Sequence, residues 1–397
     1  MATPNPIQLA ERQLVRDRSD TARFPGIFER KVARMTVSPL AYLRGTAPLF
    51  YRLLKNHPAL GKGPPGTGWL CGDAHLENFG VYRINASARA GKRAPVVFDV
   101  NDFDEAIVGP WRYDVLRLVT SLILGGRELG ADGRGSIERS RLLLETYVDA
   151  AFRERHLPDV PHSVGQLIET VNRRSHVDLL DRRTKPIKGS RVFVRGDRYM
   201  QLPKRLELLA IRAFEAYART VRVREKLTRP LEIIDIAFRI AGTGSLGKLR
   251  VAVLTRGKGG RDGSWIFDMK EQGIPAPALL LGAPKIDPAR RVVAGIDACV
   301  PHPPRMMGTT KLDGLSMFAR RLAPQEDKLN LVRIAAAELG TIAAYLGSVL
   351  GRAHRRGATQ MPSRPWSREE QGALLDRAVI LAGIHEAAYL AMCQRTS

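Results

Sequence analysis

Between residues 71 and 105 the chain reads Cys71-Gly72-Asp73-Ala74-His75-Leu76-Glu77-Asn78 and then, after two short apolar runs, Val100-Asn101-Asp102-Phe103-Asp104-Glu105. This spacing constrains the fold more than any other feature. An aspartate that accepts a hydroxyl proton and an asparagine five positions later that holds a divalent cation are the parts phosphoryl transfer needs, and Asp73 and Asn78 keep that interval. Asp102 supplies a second carboxylate, and Asp104 a further ligand or a brace. For these groups to converge, Phe79 to Ile84 and Pro95 to Phe98 must form two strands around a basic, glycine-containing turn.

With 397 residues, 44% of them hydrophobic, the chain can build two or three domains or one two-lobed body with a cleft. Three widely spaced cysteines, Cys71, Cys299 and Cys393, offer neither a disulfide framework nor a zinc pattern. The amino terminus is not an apolar leader, and the longest apolar patch, around Ala276 to Gly282, is too short to span a bilayer. A soluble, unexported, cytoplasmic protein without membrane attachment is expected. The formal charge of +23, densest at Arg182 to Lys188 and Arg352 to Arg356, suits either a solvated basic surface or polyanion binding.

Helical periodicity predicts helices over Ser38 to Leu54, Tyr113 to Leu129, Ile137 to Glu154 and Glu207 to Arg219. Leu331 to Arg356 reads as one long helix, and Ser367-Arg368-Glu369-Glu370 has capping-box form and opens a last one. Arg173 to Pro203 is basic and turn-rich and reads as a linker. Alternation from Ile234 to Ile240, then Leu249 to Leu254 and Trp265 to Lys270, predicts a three-stranded antiparallel sheet. The expected organisation is residues 1–203 as the catalytic-loop half of a large helical lobe, 204–325 as a small β lobe, and 326–397 as helices completing the large lobe.

Between the first two of those strands lies Gly242-Thr243-Gly244-Ser245-Leu246-Gly247. Glycines there let backbone amides approach phosphates, and because a strand rather than a helix follows, a dinucleotide fingerprint is disfavoured. Gly242, Gly244, Ser245 and Gly247 are the candidate phosphate-binding residues. Lys270, on the third strand, is the candidate lysine for the α and β phosphates.

Together these residues resemble the protein-kinase-like superfamily, especially its aminoglycoside phosphotransferase branch, with His-Gly-Asp-x-His-x-x-Asn and Ile-Asp-Phe-Asp/Glu motifs. Gly72 to Gly80, Asp102 to Glu105 and Gly109-Pro110-Trp111 are more closely similar to the bacterial domain of unknown function twenty-two fifty-two, from about Ser38 to Gly357. The resemblance implies an α+β, protein-kinase-like two-lobed fold with ATP and Mg2+ as cofactors. It implies Asp73 as catalytic base, Asn78 and Asp102 as magnesium ligands, and Asp114 as a buried structural brace for the loop. His75 is a second catalytic candidate, though a hydrogen bond within the loop is its plainer role, and Trp111 reads as core.

Three departures from the motif stand out. The glycine loop and lysine follow the catalytic loop instead of preceding it, so the fold is expected to be circularly permuted, with Lys270 and Asp102 facing one cleft. Cys71 stands where the motif has histidine. On Pro288 to Cys299, the candidate helix for the acid that pairs with the lysine, Ala294 occupies the expected position, leaving Asp297 or Glu271 as substitutes.

The expected activity is transfer of the ATP γ-phosphoryl group to a hydroxyl. A net charge of +23 disfavours a polycationic acceptor, so a neutral or anionic one, small molecule or protein, is expected. The alternatives are a weakly active or inactive kinase-like scaffold that binds nucleic acid or the ribosome, an AMP transferase, and a metallophosphoesterase. With eight histidines, and an Asn-His pair only at Asn56-His57, ahead of the Asp73 motif rather than after it, the last is short of ligands.

Overall fold

The computed structural model describes residues 4–84, 95–153, 157–257, 260–304, 306–324 and 326–396. The basic turn expected between Ile84 and Pro95 lies outside them. The chain opens with α1 (Pro6–Thr21), α2 (Ile27–Met35), α3 (Pro39–Gly45), α4 (Ala47–Asn56) and α5 (Pro58–Gly61). One helix was expected over Ser38 to Leu54. It is broken at Thr46, because Pro48 lacks the N–H that a continuous helix would bond to the Arg44 carbonyl. The break turns that end of α3 towards the glycine loop, where a Cβ on Gly244 would lie 3.2 Å from the Arg44 oxygen.

β1 (Thr67–Leu70) leads into the Asp73 loop, and β2 (Phe79–Arg83) and β3 (Val96–Val100) form the expected antiparallel pair, Phe79 opposite Val100. β4 (Ile107–Pro110) then pairs with β1, and α6 (Arg112–Glu128), α7 (Gly133–Phe152) and α8 (His162–Arg173) follow. The stripe Val115, Leu118, Val119, Leu122, Ile123 is buried as its spacing predicts, and Trp111 is a core residue.

The stretch expected to be a linker is folded. It contains α9 (His176–Asp181), the hairpin β5 (Thr184–Ile187) and β6 (Ser190–Phe193), and β7 (Tyr199–Met200). Leu179, Leu180, Phe193 and Tyr199 close a small core with Ala252, Leu254 and Ile266 beneath the main sheet. These apolar positions are too widely spaced in sequence to show a period, so only the sheet they cover reveals them.

α10 (Lys204–Arg224) packs over the other face of that sheet, whose remaining strands are β8 (Ile233–Arg239), β9 (Arg250–Thr255), β10 (Trp265–Gln272), β11 (Gly308–Leu312) and β12 (Leu315–Arg321). Strand order is β11-β12-β10-β9-β8-β7, so the sheet begins upstream of residue 204 and has six strands rather than three. A register shift between Ile233 and Asp235 sends Ile234 to the opposite face from Ile236 and Phe238, breaking the simple alternation. Between β10 and β11 lie α11 (Ala278–Leu281) and α12 (Pro288–Cys299), the latter capped by the Asp287 carboxylate on the Ala289 and Arg290 amides.

β13 (Glu326–Lys328) crosses back to pair with β2. The helix expected from Leu331 begins only at Leu339: α13 (Leu339–Arg356) is preceded by two 3-10 turns, with the Glu77 carboxylate taking the Leu331 amide and the Asn330 side chain the Val332 amide. β14 (Ala358–Gln360) pairs with β1, and α14 (Arg368–Thr396) starts at a capping box in which Ser367 and Glu370 exchange bonds of 3.1 and 2.7 Å. The result is an α+β fold in which helices and three-stranded sheets face a six-stranded antiparallel sheet. Among the described residues, no helix is long and apolar enough to cross a membrane.

Candidate functional site

Asp73 is held by contacts from three directions. Gly72, at φ +79°, turns the chain so tightly that a Cβ there would lie 1.9 Å from the Glu105 carbonyl oxygen, joining the Asp73 loop to the Asp102 loop. Asp114, in the first turn of α6, accepts the Cys71 and Gly72 amides at 2.8 and 3.0 Å. His354 at the end of α13 lies 3.3 Å from the same carboxylate, so Nε2 donates to it, and Tyr147 donates to Nδ1 at 2.9 Å.

The Asp73 carboxylate accepts from Arg117 Nε at 2.7 Å, and Arg117 also donates to the Leu43 carbonyl. Burial raises the Asp73 carboxyl to about 7; Arg117 opposes the rise, and Glu105 and Asp102 add to it. Arg117 was missed, although a charge three residues after Asp114 inside an otherwise apolar buried stripe is a visible anomaly. His75 is buried and accepts the Glu77 amide at Nδ1, 3.2 Å away. Burial, with Arg44, Arg117 and Lys328 nearby, drives its ring well below the ordinary value, so it is neutral with its proton on Nε2.

Asn78 donates to the Asp73 and Asp102 carbonyls at 3.0 and 3.2 Å, tying the two loops together again. Its Oδ1 is buried and, among the described residues, has no hydrogen-bond partner. Asp102 faces Lys328 Nζ at 3.2 Å. Burial pushes its carboxyl up, but Lys328, Lys270 and Arg250 outweigh that and hold it below the usual range. The buried Asn78 amide oxygen and the ionised Asp102 carboxylate are both oxygen donors, the kind a hard divalent cation takes. Among the described residues, no group of three or more His, Cys, Asp and Glu is gathered as a metal site, so any metal here would lean on Asn78 and Asp102.

Lys270 is buried on β10, and its ammonium forms an ion pair with Asp104. Neither expected substitute acid reaches it. Glu271 pairs with Arg23 and takes the Leu249 amide at 2.7 Å, and Asp297 sits on the far side of α12 near Arg224. From α12 it is Arg291, one turn before Ala294, that turns to the Asp102 loop. Arg291 donates to the Asp104, Ala106 and Gly273 carbonyls, so the helix grips the Asp102 loop by its backbone and the loop supplies the acid. Gln272 completes the arrangement by donating to Asp104 Oδ1 at 2.9 Å.

Of the glycine loop, Gly242, Gly244 and Ser245 line a cavity of about 150 Å³ with Asp73, His75, Asp102, Asp104 and Lys270. Gly247 does not. At φ +100°, with a Cβ that would lie 2.4 Å from the Asp20 carbonyl, it is where the loop abuts α1. The loop is also turned on itself, Leu246 and Lys248 donating to Thr243 and Ser245 at 3.2 Å, so those two amides are already used. A contiguous cavity wall of about 390 Å³ contains Asp102, Asp104, Gly242, Ser245 and Lys270 again, under the sheet. The early acidic cluster and the late glycine-lysine cluster therefore share both cavities. Asp114 lies behind them as a brace.

Fold and site together define an α+β protein with a charged cleft between a six-stranded sheet and a loop bearing two aspartates and an asparagine. Its sequence matches, over residues 23–395, the family described as "Uncharacterized protein conserved in bacteria (DUF2252)", and the chain belongs to that family. The match includes α2 and α14, beyond the span from Ser38 to Gly357. No curated protein and no solved structure matches the chain.

Proposed function

We propose that the protein is a magnesium-dependent phosphotransferase that moves the γ-phosphoryl group of ATP to a hydroxyl of a neutral or anionic acceptor, on a kinase-like frame encoded in permuted order. The observation that carries this reading is the ion pair of Lys270 with Asp104, two residues from Asp102 and in the same cavity as Asp73. These groups are recruited from distant parts of the chain into one lining, as phosphate positioning requires. The permuted order draws support from the end of α13. There the Gly357 carbonyl takes the Trp69 amide at 2.8 Å and β14 pairs with β1, so the helix end adjoins the strand that enters the Asp73 loop.

In this reading the acceptor hydroxyl gives its proton to Asp73, whose value near neutrality suits a base at cellular pH. Arg117 fixes the carboxylate's direction, and Lys270, oriented by Asp104, holds the phosphates from the sheet side. Magnesium on Asn78 and Asp102 would neutralise phosphate charge. Catalysis is then mainly positioning and electrostatics in a partly desolvated cleft. The test is calorimetric binding of ATP with and without magnesium to the wild type and to Asp102→Ala, then a transfer screen against hydroxyl acceptors with Asp73→Ala as control. Equal binding by both proteins, or transfer that survives Asp73→Ala, overturns the assignment.

A further inference from the structure

The larger cavity is not the predominantly apolar slot that most small-molecule sites present. In an antiparallel sheet, directly paired residues point to the same face. Asp268 pairs with Arg320, Lys270 with Arg250, and residues two apart on β10 share a face, so all four project into the cavity. Arg239 joins them from β8, 2.9 Å from Asp268, as does Arg183.

Charge is distributed unevenly along this lining. At the end near the Asp73 loop, Lys270, Lys328 and Arg44 face Asp102, Asp104 and Asp327. Under the sheet, Arg183, Arg239, Arg250 and Arg320 share the lining with Asp268 and Glu326, while Arg183 donates to the Tyr199 hydroxyl at 3.3 Å and Arg250 also lies within electrostatic reach of Asp102. Arg250 grips Asp268 through Nε at 2.9 Å, and Arg320 takes Glu326 at 2.7 Å. Arg239 Nε is buried and, among the described residues, has no acceptor. Burial lowers Arg239 to about 10; Asp268 opposes the fall, and Arg250 and Arg183 add to it. A closed ion-pair network would leave neither surplus cations nor a buried guanidinium N–H without an acceptor.

We infer that the underside of the sheet is a second anion site, in which Arg239, Arg250 and Arg320 around Asp268 receive a phosphate-type group, so that the cleft takes negative charge at both ends. The site shares its cavity with the proposed phosphotransfer centre and narrows what that centre binds, but it needs neither the metal nor Lys270. Guanidinium forks suit the oxygens of a phosphate. The group belongs either to the phosphoryl donor or to a separate phosphorylated ligand.

Metal-free inorganic pyrophosphate is the probe. Calorimetry on the full chain should show saturable binding to the wild type, weakened about tenfold by Arg239→Gln or Arg320→Gln, as expected for loss of a hydrogen bond to a charged group. Arg239→Lys, which keeps the charge, should lose less, and Lys270→Ala should weaken metal-free binding less than Arg239→Gln does. Thermal stabilisation of the wild type by pyrophosphate over chloride at equal ionic strength covers the case in which a variant does not fold. Displacement of pyrophosphate by magnesium ATP assigns the group to the donor, and simultaneous binding assigns it to a second ligand. Absence of metal-free binding and stabilisation, or a loss in Lys270→Ala equal to that in Arg239→Gln, overturns the site. Magnesium ATP binding in that event leaves the phosphotransfer reading standing, and pyrophosphate binding without it does the reverse.

Discussion

Gly72→Ala and Gly130→Ala make a matched pair, because the two glycines have nearly the same backbone conformation, φ +79° and +80°, in different surroundings. Around Gly130 nothing lies within 4 Å of an added Cβ, whereas at Gly72 the Glu105 carbonyl oxygen would be 1.9 Å away and its carbon 2.6 Å. Both substitutions force an L-residue into the left-handed region, at about 1–2 kcal/mol. Both also recover about 0.4–1 kcal/mol through the unfolded chain. Gly130→Ala should therefore cost about 0–1.6 kcal/mol. At Gly72 the obstacle is backbone, so the clash resolves only by moving Glu105, and overpacking of that kind adds about 1–3 kcal/mol.

The consequence reaches the site, since Glu105 is next to Asp104, the partner of Lys270. Urea denaturation of both variants reads the stability difference. Calorimetry with magnesium ATP reads whether Gly72→Ala also weakens a cleft that Gly130→Ala leaves alone. Equal losses of stability in the two variants would refute the reasoning, because they would mean that the Asp73 and Asp102 loops do not press on each other at this glycine.

Four further outcomes are expected. Asp73 has a folded value of about 7 against an ordinary 3.8, so its proton is held more tightly in the folded state. The stability it supplies is complete below the ordinary value and lost as pH rises through about 7, and Asp73→Asn should gain on the wild type over that window in urea titrations. If Asp73 is the base, kcat/KM should rise with pH through a limb near that value, and Arg117→Gln, which removes the cation that lowers it, should move the limb upward. Lys31 and Asp17 form a buried ion pair at 2.7 Å between α2 and α1. Lys31→Ala should cost about 3–5 kcal/mol in urea unfolding by stranding the carboxylate, with much of the loss recovered in Lys31→Met/Asp17→Leu. Asp114→Asn should weaken the two amide bonds at Cys71 and Gly72 and cost about 1.5–3 kcal/mol, with hydrogen exchange accelerated first at those amides.

Local order along the chain was readable from local pattern. The apolar stripe of α6, the capping box of α14, the proline-led start of α12, the β2–β3 pair and the β8–β9–β10 meander all follow from residues near one another in sequence, where period and turn chemistry act directly. Part of the cavity lining was legible too: spacing singles out Asp73, Asp102 and Lys270, and all three line one cavity. Pro48 breaks the 38–54 helix from within, but elsewhere a partner outside the local pattern intervened. The 173–203 stretch shows no period because its apolar residues answer to a sheet face assembled from β8, β9 and β10. The long helix begins late because Glu77 and Asn330 take the amides that would have opened it earlier.

The acid for Lys270 shows most clearly what remained beyond sequence. Asp297 and Glu271 are as suitable chemically as Asp104, and only the packing of Arg291 against the loop carbonyls decides among them. In the same way, the surplus of arginine under the sheet comes from four separate segments, none of them unusual by itself. Sequence alone determined where most local elements form and which side chains bring carboxylate, amide and cationic groups, because those properties are set by neighbours along the chain. The tertiary structure alone decided which charges face one another, because ion pairing and desolvation depend on distances across the cleft, which local pattern does not encode.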